Sequence, residues 1–246
     1  MSEPLAACTA VILAGGRGTR IADLYPNLPK PLIPAAGRPF LHWVTAWIAA
    51  QDITSVVYST GYLGEQIEDW MACSSDFPAL RRSCCREAQP LGTGGAVIAC
   101  LPQCGPWLLV LNGDSLILTE LAQAIANCIA SGCDGMLLGT PVDDAARYGA
   151  LHVDSQGLLA GFHEKQPGNG LINAGVYLLR AALLADLPSG VPMSIEREVL
   201  PRMISSGARL QVRSVAAPFL DIGTPETAGK ASDFIASNQA AFARTA

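Results

Sequence analysis

From Cys8 to Ala130 short, β-branched apolar runs alternate with stretches whose apolar residues recur at helical spacing, and this alternation constrains the fold most strongly. Cys8 to Ala14 (CTAVILA), Thr54 to Thr60 (TSVVYST) and Trp107 to Leu111 (WLLVL) read as buried strands. Phe40 to Gln51 puts Leu41, Val44 and Ile48 on one helical face, and Gly64 to Cys73 carries Ile67 and Met71 four apart. Thr93 to Leu101 reads as a helix opening on glycines, and Leu121 to Ala130 is again helical. Such alternation implies a parallel sheet with helices on both faces. Strands then dominate: Gly135 to Pro141, Gly149 to Val153, Leu158 to His163 and Asn173 to Leu179. A helical stretch from Ser194 to Ser205, a strand from Leu210 to Val215 and a helix from Pro225 onward follow. No linker-like segment divides the two parts. The expectation is one domain over 1–246, with its halves at about 8–134 and about 135–226 on one sheet.

Composition excludes several classes. Half of the 246 residues are hydrophobic and 15% are charged, so the chain can bury enough apolar surface to offset its ordering entropy. The net charge of −5 comes without a basic stripe, so nucleic acid is not an expected partner. The uncharged stretch from Ala88 to Gly113 is broken by Pro90, Gly92, Pro102 and Pro106, which argues against a membrane span. Eight cysteines without a CxxC pair, and a start at Met1-Ser2-Glu3-Pro4 that lacks a basic region, lead us to expect buried, reduced thiols in the cytoplasm.

Five constellations carry chemistry. Leu13-Ala14-Gly15-Gly16-Arg17-Gly18-Thr19-Arg20 follows the first strand, and Pro29-Lys30-Pro31 comes ten residues later. Glycines there let backbone N–H groups approach an anion, and Arg20 and Lys30 supply positive charge for a polyphosphate. Spacing alone also fits a tight turn with two solvated cations. The run is neither GxGxxG nor GxxxxGK[ST], which removes the warrant for a nicotinamide-dependent oxidoreductase or a P-loop enzyme. Second, Glu87 precedes Gly92-Thr93-Gly94-Gly95, where a bend can press backbone against a planar base and the carboxylate can accept from base N–H donors, as guanine requires. A surface carboxylate before a helix fits the spacing equally well. Third and fourth are Asn112-Gly113-Asp114 and Asp221-Ile222-Gly223, each after an apolar run. Their two aspartates can serve Mg²⁺ together or merely cap turns separately. Fifth, His163-Glu164-Lys165 and Asn173-Ala174-Gly175 combine a carboxylate, an amide and a cation suited to a sugar phosphate, or form an exposed strand end. Only three of 16 basic residues are lysines, Lys30, Lys165 and Lys230, and two of these fall inside candidate phosphate sites.

The ordered set LAGGRGTR, PKPL, EAQPLGTGGA, NGDS, EK, INAGVY and DIGTPE resembles the sugar 1-phosphate nucleotidyltransferases, from Val11 to Glu226. GTGGA, GLINAGVYLL, PMSIEREVL and the short chain look most like the D-glycero-α-D-manno-heptose 1-phosphate guanylyltransferases. The motifs also fit mannose 1-phosphate guanylyltransferases and N-acetylmuramate 1-phosphate uridylyltransferases. The resemblance implies a Rossmann-like α/β fold, a mixed, mostly parallel sheet flanked by helices, with a nucleotide half and a sugar-phosphate half. It implies a nucleoside triphosphate, GTP foremost, and a sugar 1-phosphate as substrates, with Mg²⁺ as cofactor, and it leaves room for a homo-oligomer.

Its implied nucleotide contacts are Leu13, Ala14, Gly15, Gly16, Gly18, Thr19, Arg20, Lys30, Glu87 and Gly92. Asn112, Glu164, Lys165, Asn173 and Gly175 go to the sugar phosphate, and Asp114 and Asp221 to the metal. Arg20, Lys30 and Lys165 are the implied catalytic cations. The chain ends soon after Glu226, so the left-handed β-helix tail of bifunctional relatives is not expected. The rival from another class is a regulatory protein that kept the fold and lost catalysis; the presence of Arg20, Lys30, Asp114, Lys165 and Asp221 disfavours it.

Overall fold

The computed structural model describes residues 5, 7–145, 150–163 and 168–243. Its strands are β1 (Cys8–Leu13), β2 (Pro34–Ala35), β3 (Arg38–Pro39), β4 (Ser55–Thr60), β5 (Arg81–Arg86), β6 (Trp107–Asn112), β7 (Ser115–Ile117), β8 (Gly135–Val142), β9 (Ala150–Val153), β10 (Leu159–His163), β11 (Gly170–Arg180), β12 (Leu210–Ser214) and β13 (Phe219–Asp221). The helices are α1 (Phe40–Ala50), α2 (Gly64–Cys73), α3 (Gly92–Cys100), α4 (Ala122–Ala130), α5 (Ala181–Ala185), α6 (Leu200–Ser205), α7 (Pro225–Gly229) and α8 (Ala231–Ser237). A π-turn at Ile195–Val199 leads into α6.

The main sheet runs β10-β9-β11-β6-β1-β4-β5, with β8 on the other side of β11 and β12 beyond it. β5, β4, β1 and β6 are parallel, as expected, and β12 is parallel to β8. β11 runs against both β6 and β8, and β10 against β9, which makes the sheet mixed. β6 from the first half hydrogen-bonds β11 from the second, so one sheet crosses both.

Side chains alternate across the sheet and divide the core into two layers. Ala10, Ile12, Leu109 and Leu111 point to a layer completed by Phe40, Leu41, Val44, Trp47 and Ile48 of α1 and by Ile125 of α4. Val11, Val57, Leu108 and Val110 face the opposite layer, filled by Val97 and Ile98 of α3 and by Ile195 and Val199. Burying each large aliphatic side chain here contributes roughly 1.5–3 kcal/mol.

Two features depart from the sequence reading, and a third lies at the edge of the described residues. β5 (RRSCCR) is an edge strand, where charges are tolerated and no apolar pattern forms. The expected strand of Gly149 to Val153 begins at Ala150, with Gly149 outside the described residues. None of the eight cysteines is in a disulfide, but Cys73 is exposed and Cys84, Cys85 and Cys104 are half-buried, which corrects the expectation of uniformly buried thiols. Among the described residues no helix is long and apolar enough to cross a membrane.

Candidate functional site

The carboxyl ends of the parallel strands β6, β1, β4 and β5 lie side by side, the usual place for ligands in an open α/β sheet. Leu13 and Asn112 are register partners, and Gly113 N–H donates to Leu13 O at 2.9 Å. This pairing brings the first and third constellations together. Ala14 N–H donates to Ser59 O at 2.8 Å and Gly15 O accepts from Tyr62 N–H at 3.1 Å, so the start of the glycine turn is tied to the end of β4. Gly16, Arg17, Thr19 and Arg20 are exposed beyond it.

Gly15 has a steric reason to be glycine. A Cβ there would stand 2.7 Å from Glu87 Oε1 and 3.1 Å from Gly61 N. Glu87 is thus brought onto the glycine turn from the far edge of the sheet. Its Oε2 accepts from Leu91 N–H at 2.6 Å, and burial raises its pKa against that hydrogen bond.

The glycines after it act differently from expectation. Gly94 and Gly95 N–H donate to Met193 O at 2.8 and 3.3 Å, and a Cβ on Gly92 would lie 2.6 Å from the same oxygen. Thr93 Oγ1 accepts from Ile195 N–H at 2.9 Å. The bend is therefore engaged by the segment 191–195, and the amides of Gly94 and Gly95 do not face an open base site. This corrects the reading of that run.

The charged centre lies on the other flank of the turn. Lys30 opens a 3-10 turn anchored by buried Pro31 and Leu32, and a Cβ on Gly18 would lie 3.1 Å from Lys30 Cβ. Lys30 Nζ reaches Asp114 Oδ2 at 2.5 Å, with 12% of the lysine side chain exposed. The third and fourth constellations are joined by a short ladder that has no sequence signature. β13 pairs with β7 so that Asp221 opposes Ser115, and Ile222 N–H donates to Asp114 O at 2.9 Å. Asp221 Oδ1 accepts from Gly223 N–H. Burial raises the Asp221 pKa and the Asp114 charge raises it further, while Lys30, the Gly223 N–H and Arg20 oppose the shift. Arg20 thus acts on the same carboxylate as Lys30.

Two neighbouring carboxylates, one of them held against its ionisation by burial, suit a hard divalent cation. No group of three His, Cys, Asp or Glu side chains gathers for a metal among the described residues. Phosphate oxygens and water would therefore complete its shell. Asp114 and Asp221 fit Mg²⁺ on these terms.

On the other side, the pairing of β11 with β8 shifts between Asn173↔Gly139 and Tyr177↔Leu137, a bulge that re-aims the strand. Gly175 sits in it at φ +75°, and a Cβ there would lie 2.6 Å from Asn112 Nδ2. Asn173 and Gly175 are thereby brought beside Asn112. Glu164 and Lys165 lie outside the described residues. The sequence reading passed over Tyr177, Ser194 and Glu196, which join Asn173 in one hydrogen-bonded chain. Tyr177 lies in the INAGVY run and Ser194 and Glu196 in the PMSIEREVL segment, and no role attached to these three residues.

With this geometry in view, comparison with known proteins is decisive. The family model described as Nucleotidyl transferase matches residues 9–238. The chain belongs to that family. It is 33% identical over 221 residues to the mannose-1-phosphate guanylyltransferase of Mycobacterium tuberculosis, covering 88% of this chain and 61% of that protein. It is 32% identical over 222 residues to the D-glycero-alpha-D-manno-heptose 1-phosphate guanylyltransferase of Campylobacter jejuni, covering 88% of this chain and 95% of the relative. Among solved structures, HddC from Yersinia pseudotuberculosis complexed with GMP-PN superposes with a TM-score of 0.81 at 30% identity, over 92% of this chain and 98% of that one. The family and the heptose-type resemblance read from the motifs are borne out, as is the mixed, mostly parallel α/β fold.

Proposed function

We propose that this member of the family transfers the guanylyl group of GTP to D-glycero-α-D-manno-heptose 1-phosphate, forming a nucleotide sugar and pyrophosphate in the cytoplasm. The observation that carries this reading is the convergence of Lys30, Asp114 and Asp221 beside the Gly15–Glu87 turn, with Asn112, Gly175 and Asn173 on the opposite flank. One flank offers cations and carboxylates for a polyphosphate and the other offers amides for hydroxyls. Two relatives named D-glycero-alpha-D-manno-heptose 1-phosphate guanylyltransferase, at 32% and 30% identity, support the choice of sugar.

In the reaction an oxygen of the sugar phosphate attacks the α-phosphorus of the nucleotide. The bond from that phosphorus to the oxygen bridging to the β-phosphate breaks, and pyrophosphate leaves with the bridging oxygen. The attacking oxygen is already anionic, so no general base is required. The barrier lies in bringing anions together: two unit charges 4 Å apart repel by about 4 kcal/mol at an effective dielectric near 20. Charge neutralisation and alignment therefore supply the catalysis.

Lys30 and Arg20 would draw the triphosphate onto the exposed turn at Gly16, Gly18 and Thr19, with Leu13 and Ala14 as its floor. Asp114 and Asp221 would hold Mg²⁺, which supplies further neutralisation of phosphate charge when bound. Glu87 Oε1, beside Gly15, would accept from the guanine N–H donors. On the sugar flank, Lys165 would meet the phosphate, while Glu164, Asn173 and Asn112 would meet hydroxyls. Gly92 keeps a supporting place under this site by admitting the Met193 carbonyl.

A matrix of four nucleoside triphosphates against a panel of sugar 1-phosphates, with Mg²⁺ and product masses as readout, tests the proposal. Pyrophosphate and a guanylylated heptose are the expected products. A preference for mannose 1-phosphate would transfer the assignment to the second reading, which the M. tuberculosis relative favours. No pyrophosphate with any pair would overturn it in favour of a non-catalytic protein.

A further inference from the structure

Tyr177 has no exposed surface, yet its hydroxyl is fully committed to two partners. Asn173 Nδ2 lies 2.6 Å from it and Glu196 Oε1 2.8 Å. Directions follow from the groups alone. Gly175 N–H can only donate, and it meets Asn173 Oδ1 at 3.0 Å, so the amide oxygen of Asn173 faces Gly175 and its nitrogen faces Tyr177. The amide nitrogen donates to the phenol oxygen, and the phenol's single proton therefore goes to Glu196. Burial and the neighbouring Glu196 carboxylate push the Tyr177 pKa well up, so the hydroxyl keeps that proton.

Glu196 is itself held. Its Oε2 accepts from Ser194 Oγ at 3.2 Å. The same segment is tied to the glycine bend by Met193 O, which accepts from Gly94 N–H, and by Ile195 N–H, which donates to Thr93 Oγ1. After these bonds Asn173 keeps one N–H donor and one oxygen lone pair, a matched pair for neighbouring hydroxyls.

We infer that Tyr177 and Glu196 are positioning residues that hold the nitrogen side of the Asn173 amide in place toward the sugar of the sugar 1-phosphate. The inference rests on the proposed function, since it takes Asn173 as a sugar contact. The physical reason is the direction of one proton. Gly175 N–H keeps the amide oxygen on its own side, so without an acceptor at position 196 the phenol proton would be set against the Asn173 N–H donor and would push the amide out of place. A displaced amide would no longer present its spare N–H and lone pair to the hydroxyls in the right directions.

The test is steady-state kinetics of Glu196→Leu, Glu196→Gln and Tyr177→Phe with Mg²⁺, GTP and heptose 1-phosphate. Glutamine keeps an acceptor for the phenol proton and leucine does not. Loss of the relay is expected to raise the KM for the sugar 1-phosphate about tenfold in Glu196→Leu and Tyr177→Phe, the size of one hydrogen bond to substrate. The KM for GTP should change less than about twofold, and Glu196→Gln should restore the wild-type sugar KM.

A merely structural role would lower the melting temperature and leave both KM values alone, or shift them together, and either result would overturn the assignment. Should Tyr177→Phe not fold, the leucine and glutamine variants at half-exposed Glu196 decide the matter between them. A wild-type protein inactive on every sugar 1-phosphate would sink the proposed function and this inference with it. An active wild type with an unchanged sugar KM in Glu196→Leu would sink this inference alone.

Discussion

The two flanks of the cleft solve different electrostatic problems. The flank proposed for the nucleotide is ionic: Lys30 meets Asp114 at 2.5 Å, Asp221 stands beside them, and Arg20 acts on the Asp221 carboxylate. Among the described residues, the flank proposed for the sugar, at the bulge in β11, is built from neutral amide and phenol groups with the Glu196 carboxylate behind them. A polyphosphate needs charge, which acts at a distance and tolerates small displacements. Hydroxyls need donors and acceptors in fixed directions, which only a fully hydrogen-bonded network supplies. The first flank should therefore fail by losing turnover and the second by losing substrate affinity.

The largest effect is expected on the ionic flank. Asp114→Asn, which keeps shape and removes charge, should reduce kcat by about 10³-fold or more while the circular dichroism spectrum is preserved, in line with loss of a preorganised charge interaction. A variant with undiminished turnover would remove Asp114 from the metal site.

Lys165→Ala sharpens the contrast, because it tests a cation assigned to the sugar flank. Its KM for the sugar phosphate should rise about tenfold, well beyond the change for the nucleotide, as for a lost charge-assisted contact. Equal changes for both substrates would contradict its assignment.

A pair of glycine substitutions separates structure from contact. Gly175→Ala places a Cβ at φ +75° and 2.6 Å from Asn112 Nδ2, and should destabilise the protein by roughly 1–3 kcal/mol in denaturant titrations. Gly16→Ala meets nothing within 4 Å and should leave stability unchanged. If it also leaves the KM for GTP unchanged, the exposed turn does not contact the nucleotide.

The smallest effect concerns Glu87, whose pKa burial raises. Its ionisation is less favourable in the folded chain than in the unfolded one. The stability it contributes is thus complete below the ordinary carboxylate range and is lost as pH rises through the folded-state value. Glu87→Gln should therefore raise the melting temperature by a degree or so (~1 °C) at neutral pH relative to wild type, and the gap should close in acid. The same variant should bind GTP more weakly. A gap that widens in acid would refute the burial argument.

Parts of this molecule are legible because local pattern and burial agree. β1 and β6 are continuous apolar runs since both of their faces are covered, and α1 shows its periodic face since it packs on the core. β5 is hidden because an edge strand can carry Arg81, Arg82 and Arg86. β7 and β13 are three residues each, too short for any period to register. Yet that ladder alone brings Asp221 alongside Asp114.

The amino-acid order by itself determined the kinds of chemistry present, because glycines after a strand, scarce lysines and amides near strand ends are local facts. It also determined the alternation that commits the first half to parallel strands. Tertiary structure alone decided which groups meet: Glu87 with Gly15, Lys30 with Asp114, and Tyr177 between Asn173 and Glu196. These partners are distant along the chain or lie in elements without periodicity. Their pairing is set by sheet register and by a bulge, and a linear pattern carries neither.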